Sequence, residues 1–222
     1  MQVKLNSGEH KLFLNSNSSL LLDLKDKKIA VVGSSGILLD KEYGKEIDDH
    51  DYIVRFNVAR VKGFEKNVGS RTDIRFFNGH AFAGTSDPQR FKKNDPNFVS
   101  NLNDELLIVK SWNEKEMMMG TIKNTPQNKV LYINPPFTQH CNTLVQNTEA
   151  TCGLVGVSFL SLFTKNISCY GFTHYQEDRS RIHYWEEVGD ADNWKLGQSH
   201  SFNYEEQVFK EYEKLGIIKI HK

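Results

Sequence analysis

The chain alternates short apolar runs with longer amphipathic segments. Residues 28–33 (Lys-Ile-Ala-Val-Val-Gly) hold a continuous apolar run that ends at glycine, a pattern typical of a buried parallel strand. Further short runs rich in apolar residues predict strands at 52–56, 73–77, 106–109, 130–133, 167–170 and 217–220. The chain therefore has the strand content of a sizeable sheet.

Helices are predicted between these strands, at 111–121, 137–146 and 153–163. A last helix near the C-terminus is the clearest, because Ser201 is a good N-cap, Glu205 lies in the first turn and Gly216 marks the end. Strands that alternate with helices predict the α/β class, with a mostly parallel sheet and flanking helices.

The length of 222 residues fits one domain with a real core. We predict an N-terminal extension over residues 1–27 and a single domain over 28–222. Residues 79–104 are polar and weakly periodic, and a long loop of this kind is usually a lid, a binding loop or disordered.

Charge and composition exclude several classes of protein. Lys plus Arg number 28 and Asp plus Glu number 28, so the net charge is zero, which argues against a general nucleic-acid binder. No apolar run reaches the roughly 20 residues of a membrane span, and the polar start has no signal-peptide core. Three cysteines are too few for a disulfide framework, so we expect reduced thiols and a cytoplasmic protein.

A glycine-rich turn follows the first predicted strand, at residues 33–36 (Gly-Ser-Ser-Gly). Glycines at the carboxyl end of a strand let the backbone approach a phosphate closely. The turn is neither the dinucleotide fingerprint nor a P-loop. On its own it is compatible with a nucleotide site and, equally, with a plain tight turn.

The longer pattern around this turn resembles the large sialyl motif of glycosyltransferase family 29, the animal-type sialyltransferases. The matching segments are residues 33–36, 43–48 (Tyr-Gly-Lys-Glu-Ile-Asp), 54–57 (Val-Arg-Phe-Asn) and 62–69 (Lys-Gly-Phe-Glu-Lys-Asn-Val-Gly). The small motif is resembled by residues 150–153 together with 170–172. Residues 183–186 (His-Tyr-Trp-Glu) resemble the third motif. His200 and Glu205 resemble the very small motif. The motifs occur in the family's order.

The resemblance implies a Rossmann-like variant of the glycosyltransferase A fold and a metal-independent, inverting transfer of sialic acid from CMP-sialic acid to a glycan hydroxyl. It makes His200 the base for the acceptor hydroxyl, His183 the partner of the departing CMP phosphate, and Glu205 a supporting residue. Without the resemblance, the residues favour a surface histidine beside a helix cap for His200. The alternative for His183 is a core histidine beside packing aromatic residues.

The resemblance also implies a donor site. Its expected residues are Gly33, Ser34, Ser35, Asn57, Thr151, Cys152, Gly153, Gly171 and Tyr184. Two physical arguments support it: Asn57 ends a strand, where open α/β sheets bind ligands, and residues 151–153 open a helix, whose N–H groups bind anions. The CMP-sugar is a substrate, so no cofactor is expected. We expect the glycan acceptor to contact residues 79–104, Trp112 or 117–119.

The chain departs from the family pattern at several positions. Ile29 and Thr164 stand where the family has two cysteines joined as a disulfide, and losing both is expected in a reducing compartment. Ser34 replaces an asparagine, Cys152 a serine or threonine, and Asn67 an aspartate. We expect a cytoplasmic enzyme of microbial or viral source, with peripheral contact at the inner membrane face left open.

Metal binding and two alternative functions complete the predictions. The Asp-x-Asp triplets at 49–51 and 190–192 are the pattern that many nucleotide-sugar transferases use for a divalent ion, but one precedes a strand and the other lies in a glycine-flanked loop. We therefore expect no metal. The donor could instead be CMP-Kdo or another CMP-linked keto-sugar acid, with eight carbons rather than nine. The chain could also be a CMP-binding module without catalysis.

Overall fold

The computed structural model of the protein describes residues 23–78, 102, 104–110, 128–173, 182–186 and 200–221. The helix predicted at 111–121 lies outside these residues, as do the expected acceptor contacts at Trp112 and 117–119 and the triplet at 190–192. Most of the 79–104 segment and of the N-terminal extension also lie outside them.

The described residues form one sheet in which every pair of neighbouring strands is parallel. The strands are β1 (Ile29–Val32), β2 (Tyr52–Phe56), β3 (Ile74–Asn78), β4 (Leu106–Lys110), β5 (Val130–Tyr132), β6 (Ile167–Tyr170) and β7 (Ile218–His221). Their order is β5-β4-β3-β2-β1-β6-β7. The prediction of a parallel α/β sheet is confirmed, and each strand end lies within one residue of its predicted position.

Helices cover both faces of this sheet. They are α1 (Gly44–Asp48), α2 (Glu65–Val68), α3 (Pro135–Leu144), α4 (Cys152–Leu160) and α5 (Phe202–Lys214), with a 3₁₀ helix at Gly36–Asp40. The apolar sides of α3, α4 and α5 pack on one face, against Val54, Phe76 and Ile108. The 3₁₀ helix, α1 and α2 pack on the other, against Ala30 and Ile53. The sheet is thus buried on both faces, as its continuous apolar strands require.

The ends of α4 and α5 partly follow the predictions. Thr151 caps α4, since its hydroxyl accepts a hydrogen bond from the Leu154 N–H at 3.2 Å. Ser201 holds the N-cap position of α5, but its hydroxyl makes no capping hydrogen bond. Its backbone, at φ −108° and ψ 82°, lies outside the extended conformation usual at an N-cap. Gly216 ends the helix in the left-handed region, at φ +65°.

The strand order reverses next to β1. This strand pairs with β2 on one side and with β6 on the other, and ligands of open α/β sheets bind in the crevice at such a switch point. A Cβ on Gly33 would lie 2.5 Å from the carbonyl oxygen of Gly171, so only glycine allows the ends of β1 and β6 to approach this closely. The glycine-rich turn therefore lies at the crevice.

Hydrogen bonds join the segments that carry the substituted cysteine positions. The Thr164 hydroxyl donates to the Lys27 carbonyl at 3.1 Å and accepts the Asn166 N–H at 3.0 Å. Ile29, beside Lys27, is fully buried. Cys141, Cys152 and Cys169 are all buried free thiols. In the described part of the chain, no helix is both long and apolar enough to cross a membrane.

Candidate active site

A cleft of about 110 Å³ opens at the switch point. Its described lining residues are Gly33, Ser34, Ser35, Phe56, Asn57, Thr151, Cys152, Gly153, Gly171, Phe172, Thr173, His183 and Glu205. Most of the predicted site residues, which come from four separate motifs, therefore meet in one place. His200 and Tyr184 are the predicted site residues that are absent from this lining.

A larger cavity, of about 800 Å³, lies elsewhere, beside the start of β3. None of the predicted site residues lines it, and two pairs of its charged residues are ion pairs. Arg75 meets Glu105 at 2.6 Å, and Arg71 meets Asp73 at 3.4 Å. Of these two cavities, only the smaller cleft is lined by predicted site residues.

The glycine-rich turn is tied to two other parts of the cleft. The Ser35 hydroxyl accepts the Ile37 N–H at 3.3 Å and is bonded to the Thr173 hydroxyl at 3.1 Å. The Ser34 carbonyl accepts the Tyr184 N–H at 2.9 Å. These bonds hold the turn against the chain after β6 and against the third motif.

Asn57 occupies the left-handed region, at φ +47°, directly after β2. Asparagine tolerates this conformation better than most residues. The buried Arg75 holds the bend, because its Nη1 donates to the carbonyls of Asn57 and Ala59 at 2.9 and 3.0 Å. The Asn57 Oδ1 accepts the Asn78 N–H at 3.1 Å. With the amide oxygen engaged there, the NH₂ group is the one that suits a phosphate or ribose oxygen.

His183 lies in the cleft wall with its ring fixed on two sides. It stacks on Trp185, with ring centroids 4.6 Å apart and planes 7° from parallel. Its Nδ1 lies 2.8 Å from the Glu186 carboxylate. The stacked indole sets the plane of the imidazole, and the Glu186 carboxylate lies close to its Nδ1.

Tyr184 anchors the third motif instead of lining the cleft. Its side chain is fully buried, and its hydroxyl donates to the Arg60 carbonyl. The ring meets Phe64 and Trp185 edge to face. Tyr184 was predicted to contact the donor because it belongs to the third motif, but its side chain lies in the core.

The N-terminus of α4 forms the opposite wall of the cleft, from Thr151, Cys152 and Gly153. Burial raises the pKa of the Cys152 thiol to about 11, so the group is a neutral thiol at pH 7 and not a nucleophile. A Cβ on Gly153 would lie 3.1 Å from the Phe172 ring, so the helix packs tightly against the chain after β6.

Glu205 reaches from α5 to this helix start. Its carboxylate accepts the Thr151 N–H and the Thr151 hydroxyl, both at 2.7 Å. Burial raises the pKa of Glu205, while the Thr151 hydrogen bonds and the nearby His200 and Lys110 oppose that rise. Glu205 thus bonds α5 directly to the start of α4, and its supporting role in the reaction stays a prediction.

His200 lies beside the cleft, against the chain that leads into α4. Its Nδ1 is 2.6 Å from the backbone carbonyl oxygen of Glu149. A carbonyl only accepts, so Nδ1 carries a proton in this contact, and the lone pair of the neutral ring is on Nε2. This tautomer is the one that a base acting through Nε2 needs.

Lys110 is a buried residue that the sequence did not single out. It ends β4 with its side chain only 3% exposed, and its Nζ donates to Glu149 Oε1 at 2.9 Å and to the Ala150 carbonyl at 2.5 Å. The sequence signal was a lysine directly after an apolar run, which usually marks a strand leaving the core. Here the lysine turns inward instead.

Asn67, the residue that replaces the family's aspartate, lies outside the lining of the cleft. Its Nδ2 donates to the carbonyls of Leu39 and Lys41, at 3.2 and 2.7 Å. An aspartate could donate to neither. This substitution therefore belongs to the support of the 3₁₀ helix. Within the described residues, no three His, Cys, Asp or Glu side chains form a group that could hold a metal ion.

Comparison with known families identifies the chain. Its sequence matches the family described as "Glycosyltransferase family 29 (sialyltransferase)" over residues 9–217. The chain belongs to glycosyltransferase family 29. The resemblance of the sialyl motifs is thus confirmed over almost the whole sequence.

Two curated relatives show the range of similarity within the family. The human CMP-N-acetylneuraminate-beta-galactosamide-alpha-2,3-sialyltransferase 1 is 27% identical over 209 residues, covering 88% of this chain and 58% of the relative. The chicken alpha-N-acetylgalactosaminide alpha-2,6-sialyltransferase 1 is 24% identical, and the match covers 97% of this chain and 43% of the relative. The chain thus spans little more than half the length of the human relative and less of the chicken one.

Two solved structures share the family fold. A crystal structure of a mammalian sialyltransferase superposes with a TM-score of 0.65 at 22% identity, over 89% of this chain and 69% of that one. A mammalian sialyltransferase in complex with Gal-beta-1-3GalNAc-ortho-nitrophenol superposes with a TM-score of 0.66, also at 22% identity. This match covers 93% of this chain and 74% of that one. The glycosyltransferase fold inferred from the motifs is therefore confirmed.

Proposed function

We propose that the chain transfers sialic acid from CMP-sialic acid to a hydroxyl group of a glycan, with inversion and without a metal. The observation that carries the proposal is the meeting of four separated motifs at the switch point. His183 is in the cleft wall, and His200 lies beside it with Nδ1 held by a carbonyl. The names of the relatives, which include CMP-N-acetylneuraminate, support this donor.

The donor binds across the cleft between the glycine-rich turn and α4. The N–H groups at the start of α4 receive an anionic oxygen of the donor, because a helix N-terminus favours negative charge. The Asn57 amide donates to the phosphate or the ribose. Glu205 does not compete for this anion, since both of its oxygens are bonded to Thr151.

The reaction is a direct displacement. The acceptor hydroxyl oxygen forms a bond to the anomeric carbon of the sugar, and the bond from that carbon to the CMP phosphate oxygen breaks. The hydroxyl proton goes to Nε2 of His200, which is basic while Nδ1–H is bonded to Glu149. His183 donates a hydrogen bond to the departing phosphate and stabilises its charge. No residue forms a covalent intermediate, so the configuration inverts.

A donor screen tests the proposal. The protein is incubated with CMP-sialic acid or CMP-Kdo and a glycan array, and both released CMP and labelled glycan are measured, with and without EDTA. Transfer from CMP-sialic acid that EDTA does not reduce supports the proposal. Transfer from CMP-Kdo alone would show that CMP-Kdo is the donor instead of CMP-sialic acid. CMP binding without turnover on any glycan would indicate an inactive binding module.

A further inference from the structure

The residues just before α4, Glu149, Ala150 and Thr151, form what we call the strap. The first peptide unit of the strap joins Glu149 to Ala150 and is bonded at both ends. Its carbonyl is 2.6 Å from Nδ1 of His200, and its N–H donates to Oδ1 of Asn142, in α3, at 2.9 Å.

The second peptide unit of the strap, from Ala150 to Thr151, is also bonded at both ends. Its carbonyl accepts from the Lys110 ammonium at 2.5 Å, and its N–H donates to the Glu205 carboxylate at 2.7 Å. Two consecutive peptide planes are thus fixed by four side chains from different parts of the fold. Such cross-bracing sets the direction of each carbonyl.

The strap follows a turn of unfavourable backbone conformation. Gln146 and Asn147 both have positive φ, at 55° and 61°, in sequence between α3 and the strap. Two successive non-glycine residues in the left-handed region are unfavourable and persist only where the surroundings hold them. The turn that leads into the strap therefore depends on the contacts around it.

Lys110 braces the strap with a buried charged group. Its side chain is 3% exposed, whereas its ion-pair partner Glu149 is 26% exposed. A buried ion pair is weak evidence for stability, since desolvation offsets most of the attraction. A buried lysine that bridges a carboxylate and the adjacent carbonyl fixes two successive residues of the strap at once. The His200 contact is made by the first of these residues.

We propose that Lys110 is a positioning residue for the His200 base, acting through the strap. This inference rests on the proposed function, because it assigns Lys110 a part in the same proton transfer. Lys110 keeps the Glu149 carbonyl at the Nδ1 atom of His200. It also forms an ion pair with the Glu149 carboxylate. The donor side depends on it less, since Glu205 and the Leu154 N–H hold Thr151 separately.

Steady-state kinetics of Lys110→Met test this inference. The substitution keeps the apolar stem and removes the ammonium. We expect kcat to fall about 10- to 100-fold, because small misplacements of a catalytic group have effects of this size. We expect the KM for the CMP-sugar and the Kd for CMP to change less than about threefold, and Lys110→Arg to recover part of kcat. The matched control is Lys129→Met, because Lys129 is an exposed lysine just before β5.

A second readout is independent of turnover. Nitrogen-15 NMR of the His200 ring reports which nitrogen carries the proton. In the native protein the proton is on Nδ1, and in Lys110→Met we expect a mixture of both tautomers. If the native protein transfers no sugar but the tautomer responds to Lys110, the proposed function fails and the positioning role stands. Native kcat together with a native His200 tautomer in Lys110→Met would overturn the positioning role of Lys110.

Loss of folding would confuse this result, so the unfolding of each variant is followed by circular dichroism. If Lys110→Met does not fold, Glu149→Gln removes the ion pair and keeps the strap carbonyls. It is expected to lower kcat less than tenfold and to leave CMP affinity unchanged. An unchanged kcat in a folded Glu149→Gln, with a native His200 tautomer, would then count against the proposal.

Discussion

The Nδ1 atom of His200 lies 2.6 Å from the carbonyl oxygen of Glu149, so the ring presents Nε2 as its basic nitrogen. Because this contact is to a backbone atom, no substitution of the Glu149 side chain removes it directly. The base is therefore oriented by the fold of the strap, and changes at His200 itself give the clearest test of its role.

His200→Ala is expected to lower transfer at least about 100-fold, as loss of a general base does. CMP is expected to bind with native affinity, because His200 does not line the donor cleft. Released CMP measures the first quantity and calorimetry the second. His50→Ala is the control, since the described contact of its Nδ1 is the Glu46 carbonyl at an exposed turn. Near-native transfer by His200→Ala would disprove the base assignment.

His183→Ala is expected to lower kcat by about 100-fold, since it removes a donor to the leaving phosphate. CMP affinity should fall about tenfold, in contrast to His200→Ala, because the same hydrogen bond is present in the CMP complex. Glu186→Gln, which weakens the contact at Nδ1 but leaves the ring stacked on Trp185, should have a smaller effect on both quantities. Unchanged CMP affinity in His183→Ala would contradict the assignment.

Glu205 is expected to make folding stability pH-dependent in a defined direction. Burial raises its pKa in the folded state above the ordinary value of 4.5, so the folded protein binds the proton more tightly than the unfolded chain. Its contribution is therefore fully present below about pH 4.5 and is lost as the pH rises through the folded-state pKa. In Glu205→Gln this fall is absent.

Urea unfolding of the native protein and of Glu205→Gln, measured from pH 4 to pH 7, tests this prediction. Glu206→Gln is the matched control, because its carboxylate lies on the same helix and pairs with Lys210 near the surface. It is expected to keep the native pH slope. Identical slopes for Glu205→Gln and the native protein would show that Glu205 does not titrate as described.

Asn67→Asp, which restores the residue typical of the family, is expected to destabilise this chain by about 1–3 kcal/mol. The carboxylate would face the carbonyl oxygens of Leu39 and Lys41 in place of two N–H···O bonds. Thermal unfolding measures the change, with Asn166→Asp in an exposed loop as control. Equal melting temperatures for Asn67→Asp and the native protein would show that these two hydrogen bonds do not stabilise the fold.

The sequence predicted the strands well because each is a short apolar run closed by polar or glycine residues. It did not predict the 3₁₀ helix, α1 or α2, since four or five residues are too few to show helical periodicity. The opening of a helix at residues 151–153 was predicted correctly. The prediction that the Ser201 hydroxyl caps α5 was wrong, because capping depends on a backbone conformation that residue type alone does not set.

Much of the candidate site could also be predicted, because the motifs keep their order and residues of all four meet at the switch point. Tyr184 and Lys110 could not be placed correctly. A tyrosine in a motif and a lysine at a strand end both suggest exposure, yet tertiary packing turns both side chains inward. Their partners, Arg60 and the strap, are distant in sequence, so no local pattern could have indicated them.

The hydrogen bond from Thr164 to the Lys27 carbonyl also affects how the protein can be produced. A hydrogen bond forms spontaneously and breaks reversibly, so the tie before β1 needs no oxidant, no disulfide isomerase and no redox partner. Because the three cysteines are also buried free thiols, we expect dithiothreitol to leave the melting temperature of the protein unchanged.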